Sequence, residues 1–359
     1  DVRQELTRHL PDDGHYLSGD LPENLDLISA RTEFYEYPTA LPTVERSSIK
    51  LDLHRRDFTI NTLALRLDGR HYGELYDYWG GLNDLQHGSV RVLHSLSFVD
   101  DPTRMLRAVR FEQRFQFQIE ERTLELIAEA SDLLRQVSAD RLRHEFDLIL
   151  SEEYANAMLS RLDQLKLLSA IHPDLCWQPD WKEHLEKALF NPLPADWELP
   201  DNVGHTPARR FLAYLIWLMK FSAETALAVA HRLHFSRVFI QTLQTVFHLK
   251  DSMAKWDSPR PSQVSREQEG ISPITLYALK IDGVPQNIEI LLDQYIDRWR
   301  KIHPLTSGEE LSRLGLQSGP VYRQILAQLR SAWLDGEISS AEDEQLLLSS
   351  LLKEKQDPV

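Results

Sequence analysis

One cysteine in 359 residues, Cys176, excludes an internal disulfide and any zinc cluster built on thiolates. No run of eighteen or more apolar residues exists, so no transmembrane helix is expected. The opening stretch DVRQELTRHLPDDG has neither a basic segment nor an apolar run, so no secretory signal is expected there. It also lacks an initiator methionine, which predicts a fragment, and a reducing cytoplasm is the expected compartment. The 14 histidines are scattered without H-x-x-x-H or H-x-H spacing, so a histidine metal cage is not expected. Basic charge is scarce too. With 40 Lys and Arg against 55 Asp and Glu, the net charge of −15 excludes a surface coated for nucleic acid, and any RNA contact must be local.

What is present is enough apolar material, 42% of residues at a mean hydropathy of −0.38, to bury a sizeable core in two or more domains. The basic residues are concentrated. Between Arg46 and Arg66 stand Arg46, Lys50, Arg55, Arg56 and Arg66 against only Asp52 and Asp57, whereas acid gathers near the end at Glu337, Glu342, Asp343 and Glu344. Before about Leu93 the pattern is strand-like and loop-like: LDLISA (25–30) is β-prone and HYGELYDYWGG alternates aromatics before two glycines. From Ser97 onward, apolar residues recur at three- and four-residue spacing over 103–116, 121–135, 139–150, 154–168 and 208–220, which predicts helices. Stretches rich in Pro, Asp and Ser at 190–207 and 257–273 interrupt them. The expected division is a small mixed α/β unit over 1–94, then helical parts over 95–190, 191–256 and 257–359, with no internal repeat.

Two arginine-rich segments carry the chemistry. Residues 55–67 read RRDFTINTLALRL, and residues 100–111 read DDPTRMLRAVRF. In the second, Arg104, Arg107, Arg110 and Arg114 share one helical face while Met105, Leu106 and Val109 turn inward, which predicts a basic ridge on a packed helix. Guanidinium groups donate paired hydrogen bonds to phosphate oxygens or base edges. Asp101 is a candidate N-cap with Pro102 at the first helical position, or an acceptor facing a base. In the first segment, Asp57 or Thr59 could cap a helix running through Asn61 to Leu67. Arg55 and Arg56 beside that helix start would make an anion site fit for a triphosphate. Each segment alone also reads as a capped amphipathic element with surface ion pairs.

The wording of both segments resembles the class II tRNA nucleotidyltransferase and bacterial poly(A) polymerase family. The resemblance extends to Asp26 in LDLISARTE with Arg31 after it, to Gly80, Gly81, Asp84 and Leu85 in a GG-x-x-DL hairpin, and to Arg141 and Glu145 in R-x-x-x-E. It continues in TSGEELSRLGLQSGPVYRQIL near the end, and is strong over 25–150, moderate over 300–345 and weak between. It implies an α+β fold: a polymerase-β-like nucleotidyltransferase head, or its remnant, followed by a mainly helical neck, body and tail. It further implies that Arg56 contacts the incoming nucleotide's phosphates and that Asp101 and Arg104 read its base. Arg107 and Arg110 extend that site, Asp57 and Asn61 hold the sugar, and Asp26 is a catalytic carboxylate and ligand of Mg²⁺. The implied partners are the 3′ end of tRNA or another RNA, ATP and CTP; the implied tail contact is with RNA.

The chain departs from the family pattern at its start. A GG-x-V-R-D turn and a D-x-D pair are absent, and the only glycines before Gly69 are Gly14 and Gly19. Two-metal nucleotidyl transfer needs several carboxylates, and Asp12, Asp13 or Asp20 lie in a turn-like stretch unsuited to supply them. The expectation is therefore a chain that starts after the catalytic strand pair, with Asp26 an orphaned ligand. Template-independent addition of CCA or A to RNA is the leading reading, and a non-catalytic RNA- and nucleotide-binding helical module is the alternative. A metal phosphohydrolase is disfavoured because no suitable His-Asp pairs stand in the helical part. His172 and Asp174 read as a helix stop, Gly319-Pro320 as helix initiation or an RNA-facing turn. Trp177, Trp181, Trp197 and Trp217 read as core packing ahead of base stacking.

Overall fold

The computed structural model describes residues 26–34, 43–314, 316 and 319–356. It forms two compact units that divide between Gln136 and Val137. The expected boundary at 94 falls inside the first of them, because the arginine helix packs with the mixed segment before it.

In the first unit, β1 (Arg31–Phe34) pairs antiparallel with β2 (Thr43–Arg46). The β-prone residues Asp26 to Ala30 stay irregular, with Leu27 and Ile28 exposed; strand structure begins only where a partner is available. Ser48 then caps α1 (Ile49–His54) by accepting the Leu51 N–H. Asp52 on that helix is buried and accepts from the Arg31 amide at 3.1 Å and from the Arg55 guanidinium at 3.0 Å, which ties β1 to α1.

The helix expected from Asp57 to Leu67 does not form. Residues 59–61 make a single 3₁₀ turn, followed by β3 (Ala64–Leu65), which pairs antiparallel with β4 (Leu75–Tyr76). Side chains compete successfully with helical hydrogen bonding here: Thr59 Oγ1 donates to Asp84 Oδ2 at 2.5 Å, and Thr62 Oγ1 donates to the Thr59 carbonyl at 2.7 Å. The Thr59 amide is taken by the Arg91 carbonyl. The GG-x-x-DL segment, expected as a hairpin, opens α2 (Gly81–His87) instead, because the Asp77 carboxylate accepts the Gly81 and Leu82 amides at 2.7 and 3.0 Å. Gly80 sits at φ +74, and a Cβ on Gly81 would lie 2.2 Å from the Thr59 carbonyl oxygen, so both glycines are required by geometry.

Next come β5 (Ser89–Val90), α3 (Ser97–Asp100) and α4 (Arg104–Phe115), then β6 (Gln118–Ile119), parallel to β5. The unit closes with α5 (Glu121–Ala130) and a 3₁₀ stretch to Gln136. The helix expected to begin at Pro102 starts at Arg104, yet the Asp101 carboxylate still caps its approach by accepting the Thr103 amide at 2.9 Å.

The second unit is helical, with α6 (Ala139–Ile149), α7 (Ala155–Gln164), α8 (Leu167–Ile171) and α9 (Lys182–Phe190) in succession. A hairpin of β7 (Asn202–Val203) and β8 (Thr206–Pro207) leads into α10 (Ala208–Leu218), whose residues from Phe211 to Leu218 are all buried, as befits a helix apolar all round. From this helix, Trp217 meets Phe146 and Trp177 edge to face. Trp177, Trp181, Trp197 and Trp217 are all buried, so they build the core.

After α11 (Ala223–Arg232) and α12 (Arg237–Met253) comes α13 (Pro261–Gln268), a helix inside the expected break at 257–273. The signal for it was Pro261 at the first helical position. α14 (Pro273–Asp282), α15 (Gln286–Asp297), α16 (Gly308–Arg313), α17 (Pro320–Leu334) and α18 (Ala341–Gln356) complete the unit. Leu311, Ile325, Leu329, Leu348 and Leu351 form the core of its last part. Gly319 precedes α17 as its N-cap, and His172 ends α8, as the sequence predicts. No described helix is long and apolar enough to cross a membrane.

Candidate nucleotide-binding site

The two arginine-rich segments converge in the first unit. Asp57 is buried, and its carboxylate receives four donors on its lone pairs: the Phe58 amide at 3.0 Å, Asn61 Nδ2 at 2.9 Å, Arg107 Nε at 2.8 Å and Arg107 Nη2 at 2.6 Å. Burial raises the Asp57 pKa, but the Arg107 charge and these hydrogen bonds outweigh it and hold the carboxyl below its ordinary value. Arg107 is thereby fixed from a residue fifty positions earlier. Its guanidinium and that of Arg110 lie 5.8 and 5.7 Å from the centre of the Phe111 ring, which packs edge to face on Phe58.

Arg104 is buried, although the sequence reading placed it on a ridge. Its Nη1 donates to Ser97 Oγ at 2.8 Å and its Nη2 to the Arg55 carbonyl at 2.8 Å, so it stitches α4 to α3 and to the end of α1. Of the ridge, Arg114 alone is exposed, while Arg104 and Arg110 are buried and Arg107 is half-buried. The ridge turns inward because it answers polar groups of the preceding segment. Arg56 is different. Its side chain is 43% exposed, donates to the Asn61 carbonyl at 3.1 Å and lies 3.5 Å from Asp52. Such an exposed pairing contributes little and exchanges readily for a phosphate.

A cleft of about 210 Å³ opens beside Arg104, lined also by Glu33, His54, Arg55, His94 and Asp100. The His54 and His94 rings stack at 5.5 Å and 15°. Burial lowers the His94 pKa; Asp100, 3.8 Å from its Nε2, pulls the other way and does not prevail. A neutral flat ring between guanidinium donors and carboxylate acceptors suits a nucleobase, which needs both a stacking face and edge partners. Sequence reading missed His54, His94, Ser97 and Glu33, since no local pattern announces them. It paired Arg104 with Asp101, whereas Asp100 shares the cleft; Asp101 Oδ1 accepts the amide and hydroxyl of Thr103.

Asp26 is exposed in the irregular stretch before β1. Among the described residues, no group of three or more His, Cys, Asp or Glu side chains could hold a metal ion. The described residues do not by themselves fit Mg²⁺. Arg141 and Glu145 stand one turn apart on α6, in the second unit, with Glu145 buried.

Arginines from two distant segments are thus locked around a buried aspartate and beside a small cleft, a candidate nucleotide site in a head-like unit. Family models agree with that class: residues 14–91 match the poly A polymerase head domain, and residues 116–177 match the probable RNA- and SrmB-binding site of polymerase A. The A-adding tRNA nucleotidyltransferase of Halalkalibacterium halodurans is 30% identical over 89% of this chain and 72% of its own length. That of Geobacter sulfurreducens is 36% identical over 89% of this chain, which spans only 37% of that relative. A solved CCA-adding enzyme in its apo form II superposes with a TM-score of 0.72 at 32% identity, covering 91% of this chain and 76% of the other. The Thermotoga maritima CCA-adding enzyme complexed with tRNA superposes at 0.65 with 33% identity, over 86% and 74%. The chain belongs to the class II tRNA nucleotidyltransferase family.

Proposed function

We propose that the chain takes part in template-independent addition of nucleotides to the 3′ end of tRNA, with A as the favoured nucleotide. The observation that carries this is the pair of hydrogen bonds from Arg107 to Asp57 Oδ2 together with the Arg104–Arg55 bond, which bring both arginine-rich segments to one place. Relatives at 36% and 30% identity are A-adding enzymes, which favours A over CCA addition or poly(A) synthesis. In this reading the head is polymerase-β-like, and ATP places its phosphates on Arg56, Arg107 and Arg110. The base enters the cleft at Arg104, His54 and His94, with Asp101 behind the start of α4. Asn61 stands beside the sugar, while Asp57 acts mainly by orienting Arg107. Protein groups, fixed before the nucleotide arrives, do the selecting, which is the advantage of a preorganised site over a flexible one.

Mg²⁺ is part of this proposal for the complete family site. It would supply charge neutralisation on the triphosphate, with Asp26 contributing one carboxylate; the described residues do not complete its ligand set. That same incompleteness favours a second reading, an RNA- and nucleotide-binding module without catalysis. Incubating the chain with tRNA ending in CC, labelled ATP or CTP and Mg²⁺, then resolving products on a gel, separates the two. One added A supports the first reading; nucleotide binding without extension establishes the second. Cytoplasmic location follows from the proposed substrate alone.

A further inference from the structure

In the second unit, α9, α10 and α12 each pack against α14, and a charged knot ties all four together. Lys220, just past the end of α10, donates from Nζ to Asp282 Oδ1 at 2.8 Å and to His184 Nδ1 at 2.6 Å. Asp282 is the last residue of α14, and its other oxygen accepts Lys250 Nζ of α12 at 2.8 Å. His184 stands in the first turn of α9. Lys220 and Asp282 expose only 13% and 10% of their side chains, so the knot is largely out of water. One carboxylate thus answers two ammonium groups, and the second partner of Lys220 is an imidazole.

That imidazole has one workable protonation state. An ammonium group has three donors and no acceptor, so His184 must receive the Lys220 hydrogen bond on a bare Nδ1 and carry its own hydrogen on Nε2. The ring is therefore neutral. A proton on Nδ1 would set N–H against N–H and place like charges 2.6 Å apart. The acids nearby are already engaged: Asp282 is shared between Lys220 and Lys250, and the exposed Glu183 pairs with Lys187 at 2.7 Å. Burial, with Lys220 and Lys187, holds the His184 pKa below its ordinary 6.5, while Asp282 and Glu183 pull the other way without prevailing.

We infer that His184, Lys220 and Asp282 form a proton-gated latch, closed while the imidazole is neutral and releasing the start of α9 from the ends of α10 and α14 once the ring takes a proton. Lys220 keeps its bond to Asp282 when the latch opens. The break therefore falls between α9 and its neighbours, and the tie among α10, α12 and α14 survives. The sign follows from the depressed folded-state pKa: the latch contributes fully above 6.5, and its contribution is lost as pH falls from there to the lower folded-state value. It belongs to the second unit alone and does not depend on the proposed function.

Hydrogen exchange read by mass spectrometry on the full chain tests the latch, because it reports opening segment by segment. Rates are corrected for the intrinsic pH dependence of exchange. A local opening that takes up one proton gains up to about tenfold in population between about pH 7.5 and about pH 5.5. Peptides covering 182–190 of the wild type should gain that much, while those covering 273–282 keep their protection. Two variants check the cause. In His184→Asn the amide oxygen can accept from Lys220 near the place of Nδ1 and stays uncharged, so acid should no longer speed exchange in α9. Lys220→Met removes the opposing charge and leaves Asp282 to Lys250, so its α9 should also lose the acid response. Equal protection of 182–190 in the wild type at both pH values overturns the inference. So does an acid response in both variants that matches the wild type, or a loosening of 273–282 in step with 182–190, which would be acid unfolding of the whole unit.

Discussion

The two units are held together by different means. In the second, helices bury long apolar runs and rings against one another: Phe211 to Leu218 vanish from solvent, and Trp177, Trp217 and Phe146 interlock. In the first, short strands and turns are joined by buried charges, Asp57 to Arg107, Asp52 to Arg55 and Asp84 to Arg91. Large apolar side chains such as Leu27, Ile28, Leu65 and Leu67 stay exposed there. A core of packed rings tolerates pH and salt, whereas ionic ties respond to both. In the proposed function, the groups that hold the first unit together are also the ones that meet a nucleotide.

The largest break in this comparison is Trp217→Ala. Trp217 is 1% exposed and its indole donates to the Cys176 carbonyl at 3.0 Å, so truncation leaves a cavity and a lost hydrogen bond. The expected loss is about 3–5 kcal/mol, read as a lowered Tm of the second unit. Nucleotide affinity of whatever remains folded should be unaffected; a variant that melts like wild type would remove the argument that rings carry this unit.

Asp57→Ala comes next. It removes both hydrogen bonds that Arg107 makes to the buried Asp57 carboxylate, at an expected cost of about 3 kcal/mol, and it should weaken ATP binding as well. The Asp57 carboxyl is held below its ordinary 3.8, so it favours the folded state fully above that value and loses this contribution as pH falls through its lower folded-state pKa. Unfolding curves of wild type and Asp57→Asn should therefore converge as pH is lowered below about 3.8 and keep a constant separation above it. Parallel curves across that range would assign the shift to another group.

Gly81→Ala tests backbone instead of charge. The added Cβ would meet the Thr59 carbonyl at 2.2 Å, which forces the 3₁₀ turn and α2 apart. The expected cost is about 2 kcal/mol, measured by denaturant midpoint. A neutral result would mean that the turn after Asp57 is far more pliable than its hydrogen bonds imply.

How much of this was legible beforehand follows the same division. The helices of the second unit were readable because amphipathic spacing is a local signal: 139–150, 154–168 and 208–220 were expected, and α6, α7 and α10 occupy them. In the first unit the segments that matter were found, but their shapes were not. The helix expected after Asp57 loses to the Thr59 bond to Asp84 and the local Thr62 bond to the Thr59 carbonyl, and the hairpin at Gly80 becomes a helix start because the Asp77 carboxylate accepts the amides that follow it. Those partners lie up to twenty-five residues away in sequence, and no periodicity encodes them. The basic ridge failed for a related reason: spacing gives a face, but only the tertiary partners decide whether that face meets water. His54 and His94 stack from positions that share no motif at all.

The finest test of the head concerns Ser97. Its hydroxyl, fully buried, accepts from Arg104 Nη1, while the Arg55 carbonyl accepts from Nη2, so the plane of the guanidinium is fixed from two sides. In the proposed function Arg104 reads the base, and a plane fixed in advance discriminates between donor and acceptor edges better than one free to rotate. Ser97→Ala should cost about 1.5 kcal/mol of stability, the lower end for a hydrogen bond to a charged group. A purely structural role would end there. A positioning role adds a narrowed preference between ATP and CTP, read as the ratio of their dissociation constants, and restoration of that ratio by Ser97→Thr. If the ratio in Ser97→Ala equals that of wild type while the stability falls as expected, Ser97 supports the fold and Arg104 does not depend on it for reading the base.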